Sequence, residues 1–207
     1  MVTDQAAKTM GVAEAAARRR SVRAFASEPI PRHELDAIFD VTRLAPSAWN
    51  LQPWRFVVVE DPGRKAQLAE AAFGQRQVSS APAVIGIYTD MRDTLEHVDR
   101  AIHPALNDDE RARARRSIER AFEHKSGDER EAWAARQGYI ALGYLLLAAA
   151  ERGYDTSPML GFDHARAQAA LDAPAHAQVV ALVAIGKGSE AGRSHHRLPL
   201  SALTRFV

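Results

Sequence analysis

The sequence predicts a mixed α/β fold, and three observations support that prediction. Three short runs, residues 54–59, 83–88 and 178–185, are continuously apolar and rich in β-branched residues, as strands are. Stretches with helical spacing of apolar residues lie before and between them. No glycine-rich turn follows any of the runs, so a P-loop or a glycine-rich dinucleotide fold has no support. Because the runs do not alternate between apolar and polar residues, we expect helices on both faces of the sheet.

Capping and stop signals divide the rest of the chain into helices. The predicted helices extend approximately over residues 4–19, 31–45, 61–73, 107–125 and 129–152. Asp4 is a candidate cap of the first helix, and Pro31 suits the first position of the second, which must end before Pro46. Between the last two helices, Gly127 is interpreted as a stop and Asp128 as the next cap. No internal repeat or long linker interrupts a single domain.

The last predicted helix is apolar all round in its second half, YIALGYLLLAAA at 139–150. A helix of this kind is enclosed by protein on every side. We therefore expect it at the centre of the domain or at a subunit interface. The run is too short to span a bilayer, and Arg136 and Glu151 flank it closely.

Composition excludes several classes of function. The chain has 207 residues, enough for one domain with its own core, and a net charge of +1, which indicates neither a nucleic-acid nor a membrane surface. It has no cysteine, which excludes disulfides, thiolate catalysis, cysteine-ligated zinc and iron–sulfur clusters. The first ten residues do not resemble a signal peptide, and we expect a cytoplasmic location.

The first candidate site is a cationic cluster at residues 19–23. Arg19, Arg20, Ser21 and Arg23 lie where a helix gives way to an extended segment. Arginine forks donate strongly to a phosphate monoester, and Ser21 and Arg23 lie on the same side of an extended chain. The cluster indicates either an anion site or a solvated basic helix end that is stabilised by the helix dipole.

The second candidate site is the loop APSAWNLQPW at residues 45–54. Its Asn50 and Gln52 offer both donors and acceptors, which suits the edge of a heterocycle that carries C=O and N–H groups. Its two prolines would hold the loop rigid. The alternative is an ordinary connection whose two tryptophans, Trp49 and Trp54, pack in the core.

Two later segments are weaker candidates. In GYDTSPMLGFD, at 153–163, Gly161 would let backbone N–H groups approach a ligand. Taken alone, the segment is better interpreted as a routine helix–helix loop that ends at a cap, Asp163. In RSHHR, at 193–197, His195 and His196 would point apart in an extended chain and have no companion carboxylates, which argues against a metal. The chain has no Ser-His-Asp spacing, carboxylate pair or H-E-x-x-H motif, which is typical of a protein whose cofactor carries the reaction.

Four segments together resemble the FMN-dependent nitroreductase family: RRSVRAF, APSAWNLQPWRFVVV, the apolar helix leading to ERGYDTSPMLGFD, and VALVAIGKG followed by HRLPL. They occur in the family's order over nearly the whole chain. The resemblance implies an α+β sandwich in which a mostly antiparallel sheet lies between helices, formed as a single domain over residues 1–207. It also implies an interlocked homodimer with FMN at the interface and a variable, substrate-side helical segment at about 90–132.

The resemblance implies FMN contacts and no catalytic side chain. Arg19 and Arg20 resemble contacts to the phosphate and ribityl chain, Ser21 a contact on the phosphate side, and Arg197 a late phosphate contact. Arg23 resembles a cation near flavin N1 and O2, which would support the reduced flavin. The remaining implied contacts belong to the loop that wraps the flavin ring, in part from the second subunit, and to the backbone beside N5 and O4: Pro46, Ser47, Asn50, Pro158, Leu160 and Gly161.

The chain departs from the family pattern at two positions. His195 stands where relatives often have a lysine, and Leu160 where some have an acidic residue. The charged segment 91–130 covers the substrate face in the family and has no assigned chemistry here. Phe122 and Trp133 are candidates for stacking over the flavin, but core packing is the better interpretation of both.

The implied reaction is a ping-pong cycle. NAD(P)H would pass a hydride to flavin N5 and leave, and a small oxidised acceptor, such as a nitroaromatic, a quinone or an activated alkene, would then take it. One alternative keeps the fold and specialises the flavin reaction, as semialdehyde reductases, azoline oxidases, flavin destructases and reductive dehalogenases do. Another is a flavin-binding sensor without turnover.

Overall fold

The computed structural model describes residues 10–207, so the predicted cap at Asp4 lies outside the described residues. Single-turn 3-10 helices occur at Ala48–Asn50 and Val98–Arg100. In chain order the other elements are α1 (Val12–Arg18), α2 (Arg32–Thr42), β1 (Trp54–Val59), α3 (Pro62–Ala71), α4 (Arg76–Ser80), β2 (Ala83–Thr89), α5 (Met91–Glu96), α6 (Asp108–Phe122), α7 (Gly127–Glu151), β3 (Asp155–Met159), α8 (His164–Ala170), β4 (Gln178–Gly186) and α9 (Leu200–Leu203).

The strands form one antiparallel sheet in the order β1-β2-β4-β3. In its register Phe56 lies opposite Ile87, and Ile85 lies opposite Val183. The central strands β2 and β4 are buried almost throughout, which confirms that both faces of the sheet are covered. The α+β sandwich with an antiparallel sheet is therefore confirmed.

Helices cover the sheet on both sides and create two cores. On one side, α2 and α7 pack through Leu35, Ile38 and Leu145 against one face of the sheet. On the other side, α3 and α8 enclose a second core that includes Leu68 and Leu171. A glycine makes one of these contacts close: a Cβ on Gly86 of β2 would lie 2.4 Å from a Leu171 methyl group. Gly86 is therefore required for this packing.

The strand β3 corrects the prediction that residues 153–163 form a loop. Its sequence, DTSPM, lacks the apolar β-branched run that predicts a strand. Pro158 pairs with Val183, and on its other side, among the described residues, the strand has only an isolated bridge between Thr156 and Ser21. A proline is tolerated there because an edge strand does not need every backbone donor.

Helix boundaries follow the predicted signals with three corrections. Among the described residues, α1 begins at Val12, after Gly11, and so does not run unbroken over the predicted range of about 4–19. Pro31 is the N-cap of α2 and not its first residue.

Gly127 begins α7 instead of stopping the helix before it, and Ser126, not Asp128, is the cap. The Ser126 hydroxyl accepts from Glu129 N at 3.2 Å, and the Glu129 carboxylate accepts from Ser126 N at 2.7 Å. This reciprocal capping box outweighs the helix-stopping tendency of a lone glycine.

The apolar half of α7 is only partly enclosed within one chain. Tyr139, Ile140 and Tyr144 are 47%, 38% and 37% exposed. Enclosure on every side is therefore wrong for the single chain, and the subunit-interface interpretation fits this exposed face. Over the described residues, no helix is both long and apolar enough to cross a membrane.

Candidate functional site

A cationic cavity lies where the end of α1 meets the segment after β4. Arg19, His195 and Arg197 line a volume of about 440 Å³, and Leu147 of α7 forms an apolar wall. Burial lowers the pKa of the Arg19 guanidinium, and the nearby charges of Arg197 and Arg20 lower it further. Like charges from distant parts of the sequence are thus held together without a carboxylate among the lining residues. Such an arrangement attracts an anion.

The other members of the predicted cluster surround this cavity differently. Arg20 folds back over the end of α1, where its guanidinium donates to the carbonyl of Arg19 at 3.1 Å. Val22 and Ala24 are buried, while Arg23 is exposed and Ser21 half-buried, so the predicted alternation of this extended segment is present. The geometry therefore groups Arg19 with Arg197 more closely than it groups the four residues of the cluster.

The extended segment after α1 lies against β3. Ser21 forms a bridge with Thr156, and Val22 N donates to the Thr156 carbonyl at 3.1 Å. This contact brings the cationic segment beside the strand that contains Pro158. Leu160 and Gly161 follow at the strand's end, where Leu160 is 56% exposed and the Gly161 carbonyl accepts from Gln75 Nε2 at 2.8 Å. A Cβ on Gly161 would meet no atom within 4 Å, so packing within the chain does not require this glycine.

Two buried polar atoms at this end of the molecule lack hydrogen-bond partners. They are Thr156 Oγ1 and His195 Nε2, and the described residues contain one other such atom, Ser80 Oγ. A buried polar group without a partner costs about 1–3 kcal/mol. Unsatisfied groups are therefore concentrated where the cationic segment, β3 and the cavity meet.

The loop before β1 has a strained backbone. Trp49, Asn50 and Gln52 have φ angles of 53°, 56° and 44°, in the left-handed region that non-glycine residues seldom adopt. The Ser47 hydroxyl accepts from Gln52 N at 2.9 Å, and Asn50 Nδ2 donates to the Ala101 carbonyl at 3.1 Å. Strain of this kind persists only where surrounding contacts fix it, and it is concentrated at functional sites. Pro46 begins this loop and is exposed.

The loop packs on the first half of α7, away from the cationic cavity. Ala48 N donates to Gln137 Oε1 at 3.0 Å, whereas Leu147, ten residues further along α7, lines the cavity. Ten residues of helix span about 15 Å. Within one chain, the structure does not bring Asn50 together with Arg19 and Arg197.

Aromatic side chains fix the loop to the charged segment. Phe122 of α6 is 2% exposed and meets Trp133 of α7 edge to face at 4.9 Å between ring centroids. Trp49 lies 5.9 Å from Phe122 and is 45% exposed. Core packing is therefore confirmed for Phe122, while Trp54 is buried and Trp49 forms part of the surface.

The structure also assembles a buried polar group that sequence reasoning missed. Asp90, Glu131 and His176 approach one another where β2 ends, with His176 Nε2 2.9 Å from Asp90 Oδ1. Glu131 accepts from Thr89 Oγ1 at 2.8 Å and from Met91 N at 2.7 Å, and burial raises the pKa of its carboxyl. The three residues are far apart in sequence, so only the tertiary fold could reveal this network, which joins α5 to α7.

A comparison of the sequence with models of protein families shows to which family the chain belongs. The model of the nitroreductase family matches residues 16–187, from α1 to the segment just after β4. The chain is thus an oxidoreductase. It belongs to the nitroreductase family.

Individual relatives agree over nearly the whole chain. A protein of Thermus thermophilus named NADH dehydrogenase is 48% identical over 186 residues, which are 90% of this chain and 91% of that protein. A crystal structure of an Exiguobacterium sibiricum protein in complex with FMN has a TM-score of 0.85 at 29% identity, over 96% of this chain and 98% of that one. The enone reductase CLA-ER, from gut-bacterial fatty acid saturation metabolism, has a TM-score of 0.80 at 28% identity, over 95% and 97% of the two chains.

Proposed function

We propose that this protein binds FMN and uses it to transfer reducing equivalents from NAD(P)H to a small oxidised acceptor. The observation that carries the proposal is the cationic cavity, in which Arg19 and Arg197 converge although no carboxylate lines it. Two arginines held together at a cost in repulsion are matched to a doubly charged phosphate monoester. The FMN complex of the Exiguobacterium sibiricum relative supports the choice of this phosphate ester.

The residues fit FMN beyond its phosphate. Ser21 is half-buried and lies two residues after Arg19, which lines the cavity, so a polyhydroxylated chain that leaves the cavity along this segment would find a hydroxyl group there. Arg20 and Arg23 add positive charge to the same segment, and Arg23, being exposed, is free to contact the ring edge. We assign the ring's other contacts to two segments, the loop before β1 and the end of β3: Pro46, Ser47 and Asn50, and Pro158, Leu160 and Gly161.

The chemistry would reside in the cofactor. When bound, FMN would supply a two-electron relay between NAD(P)H and an acceptor in two separate half-reactions. The protein's residues would hold the phosphate, orient the ring and leave one ring face open. The family's name and the enone reductase relative support nitroaromatics and activated alkenes as acceptors, and the NADH dehydrogenase relative supports NADH as a donor.

We further propose that the active form is a homodimer. Apolar side chains of α1, α2 and α7 form a groove of about 310 Å³ that continues the exposed face of α7, with Val12, Val41 and Tyr144 in its walls. Apolar patches of this kind mark protein–protein interfaces. The separation of the Asn50 loop from the cationic cavity along α7 is then explained, because the loop of one copy would complete the site of the other.

The end of the chain supports the same assembly. After β4 the chain carries five exposed large apolar side chains: Leu198, Leu200, Leu203, Phe206 and Val207. Strand β1 is an edge strand beside a groove of about 860 Å³, in which the apolar side chains of Phe39, Phe56 and Val58 lie among charged ones. An apolar segment from a second copy would cover that edge, as edge strands require. Residues 1–207 would then act as one FMN-binding domain, with the segment 90–132 on the acceptor side.

The test is an anaerobic absorbance spectrum of the purified protein supplied with FMN, before and after addition of NADPH or NADH. We expect flavin absorption that remains with the protein on gel filtration and bleaches when one of the nicotinamides is added. A nitroaromatic or quinone added next should restore it. A protein that does not retain FMN would contradict the proposal, and retained flavin that neither nicotinamide bleaches would contradict the NAD(P)H half of it.

A further inference from the structure

Arg55 of β1 contacts two parts of the chain at once. Its Nη1 donates to the carbonyls of Gln52 and Trp54, at 3.2 and 2.8 Å, and its Nη2 donates to Asp93 Oδ2 in the first turn of α5. The hydrogen bond from Arg55 is the largest of the causes that lower the pKa of the Asp93 carboxyl. A guanidinium can satisfy carbonyls and a carboxylate together because its donors point in fixed, different directions.

Gln52 connects Arg55 to the two polar side chains of the loop before β1. Its φ angle of 44° is in the left-handed region, so surrounding contacts must fix its backbone. Its N–H donates to Ser47 Oγ at 2.9 Å, and its side-chain Nε2 donates to Asn50 O and Oδ1 at 3.0 and 3.1 Å. Its carbonyl is one of the two that Arg55 holds. Ser47 and Asn50 are therefore both hydrogen-bonded to a residue whose backbone Arg55 restrains.

A polar pocket separates this side of the loop from α5. Its volume is about 200 Å³, and Gln52, Arg55 and Asp93 are among the residues that line it. Leu51 also lines the pocket and belongs to the same apolar core as Met91, so apolar packing holds the loop on that side. Gln52 has no such packing across the pocket. Its position therefore depends on polar contacts, of which the carbonyl contact with Arg55 is one.

We propose that Arg55 is a positioning residue for the flavin ring. Through Gln52 it fixes the two side chains that contact the ring, Ser47 and Asn50, and through Asp93 it ties the loop to α5. The proposal rests on the proposed function, in which this loop contacts the ring. Because Arg55 acts on the loop, its effect falls on binding of the ring and not on binding of the phosphate, which the cationic cavity holds.

The experiment measures how Arg55→Lys changes the binding of FMN and of riboflavin to the apo-protein. Lysine keeps the positive charge beside Asp93 but lacks the planar fork that holds both carbonyls. Flavin fluorescence quenching gives the two dissociation constants, and the visible circular dichroism of bound flavin reports on the surroundings of its ring. Arg64→Lys is the matched control, because the Arg64 guanidinium also donates to a backbone carbonyl, that of Ala170 at 3.3 Å, but in the core on the other side of the sheet.

We expect Arg55→Lys to weaken the binding of both flavins by the same factor, about tenfold, because hydrogen bonds from a charged group to the loop are lost. The visible circular dichroism at saturating FMN should change as well. Arg64→Lys should leave the affinities and the spectrum unchanged. Asp93→Asn, which alters only the contact with α5, should weaken both flavins less, and it serves if the lysine variant fails to fold.

Three outcomes would overturn the proposal. The first is an Arg55→Lys protein that is folded by far-UV circular dichroism and keeps the wild-type affinities and spectrum. The second is a loss confined to FMN, which would place the effect on the phosphate. The third is an equal loss in Arg64→Lys, which would reduce the effect to general stability. Failure of the wild type to bind either flavin would instead overturn the proposed function.

Discussion

The two halves of helix α7 face opposite kinds of surroundings. Around its first half, polar and aromatic groups satisfy one another: Glu131 accepts two hydrogen bonds, and Trp133 packs edge to face on Phe122. Around its second half, aromatic side chains are exposed, two arginines lie near each other, and the Nε2 atom of His195 is buried without a partner. Both halves belong to one continuous helix.

This difference separates the contacts that the chain completes by itself from those that require a ligand or a second copy of the chain. The first half of α7 forms a closed core that stabilises the fold and holds the charged segment in place. The second half leaves positive charge and apolar surface to be satisfied from outside the chain. FMN and a second copy of the chain would satisfy these groups together, so stability and ligand binding should respond to different substitutions.

The largest effect on stability is expected in the closed core around the first half of α7. Phe122→Ala removes a fully buried ring that touches both Trp49 and Trp133, and we expect a loss of about 3–5 kcal/mol in the free energy of unfolding. Urea denaturation of the apo-protein at fixed concentration measures it. Phe122→Leu should lose less because it retains much of the volume. A loss below about 1 kcal/mol for Phe122→Ala would mean that this core is not closed.

The exposed apolar face of α7 should control assembly. Tyr144→Glu places a carboxylate in the groove that would be buried between two copies, and we expect the dimer dissociation constant to rise about 100-fold or more. Sedimentation velocity over a range of concentrations measures this change. Phe73→Glu is the control, since Phe73 is 73% exposed and lies outside that groove. Equal effects of the two substitutions would place the interface elsewhere.

The cationic cavity should control FMN affinity without supporting the fold. Arg197→Ala should weaken FMN binding by about 10- to 100-fold through the loss of charge-assisted hydrogen bonds. The apo-protein should not lose stability, because the substitution removes a like charge near Arg19. Arg193→Ala, in the same segment but outside the cavity lining, is the control for both measurements. A destabilised apo-protein with unchanged FMN affinity would assign Arg197 a structural role.

The smallest effect is a pH dependence of the protein's stability that arises from Glu131, in the first half of α7. Burial raises the pKa of Glu131 in the folded state, so the folded protein holds a proton there that the unfolded chain has already released. The unfolding free energy should therefore decrease as the pH rises above the ordinary pKa of glutamate, until Glu131 ionises in the folded state. Glu131→Gln removes this component of the slope. The comparison is of slopes, because glutamine also changes the contact with Met91 N. Identical slopes would show that Glu131 keeps its ordinary pKa.

Sequence reasoning recovered the features that depend on local signals. The bounds of β1 were predicted residue for residue, and the caps at Asn107 and Asp61 lie where the signals begin their helices. The strand β3 was missed because Pro158 and its polar neighbours carry turn signals, and only pairing with β4 makes the segment extended. The predicted start of α7 at Glu129 is too late, because the helix-stopping interpretation of Gly127 overlooked the capping box of Ser126 and Glu129.

For the candidate site too, some residues could be predicted from the sequence, and other features required the fold. Local motifs indicated Arg19, Arg20, Ser21, Arg23 and the Asn50 loop. Arg197 was indicated only by the family resemblance, and the fold places it near Arg19. Adjacent identical residues carry no signal about which of them is buried, and the resemblance set His195 apart from His196 only as the position where relatives often have a lysine. Contacts across the fold separate them.

The central claim is that the cavity at Arg19 and Arg197 holds the phosphate of FMN, and the most direct measurement compares FMN with riboflavin. Apo-protein titrated with each flavin should bind FMN at one per chain and riboflavin at least about 100-fold more weakly, because riboflavin lacks the group that the arginines hold. Arg197→Ala should reduce this preference and leave riboflavin binding unchanged. Equal affinity for the two flavins would contradict the account, since the converging charges would then serve no phosphate.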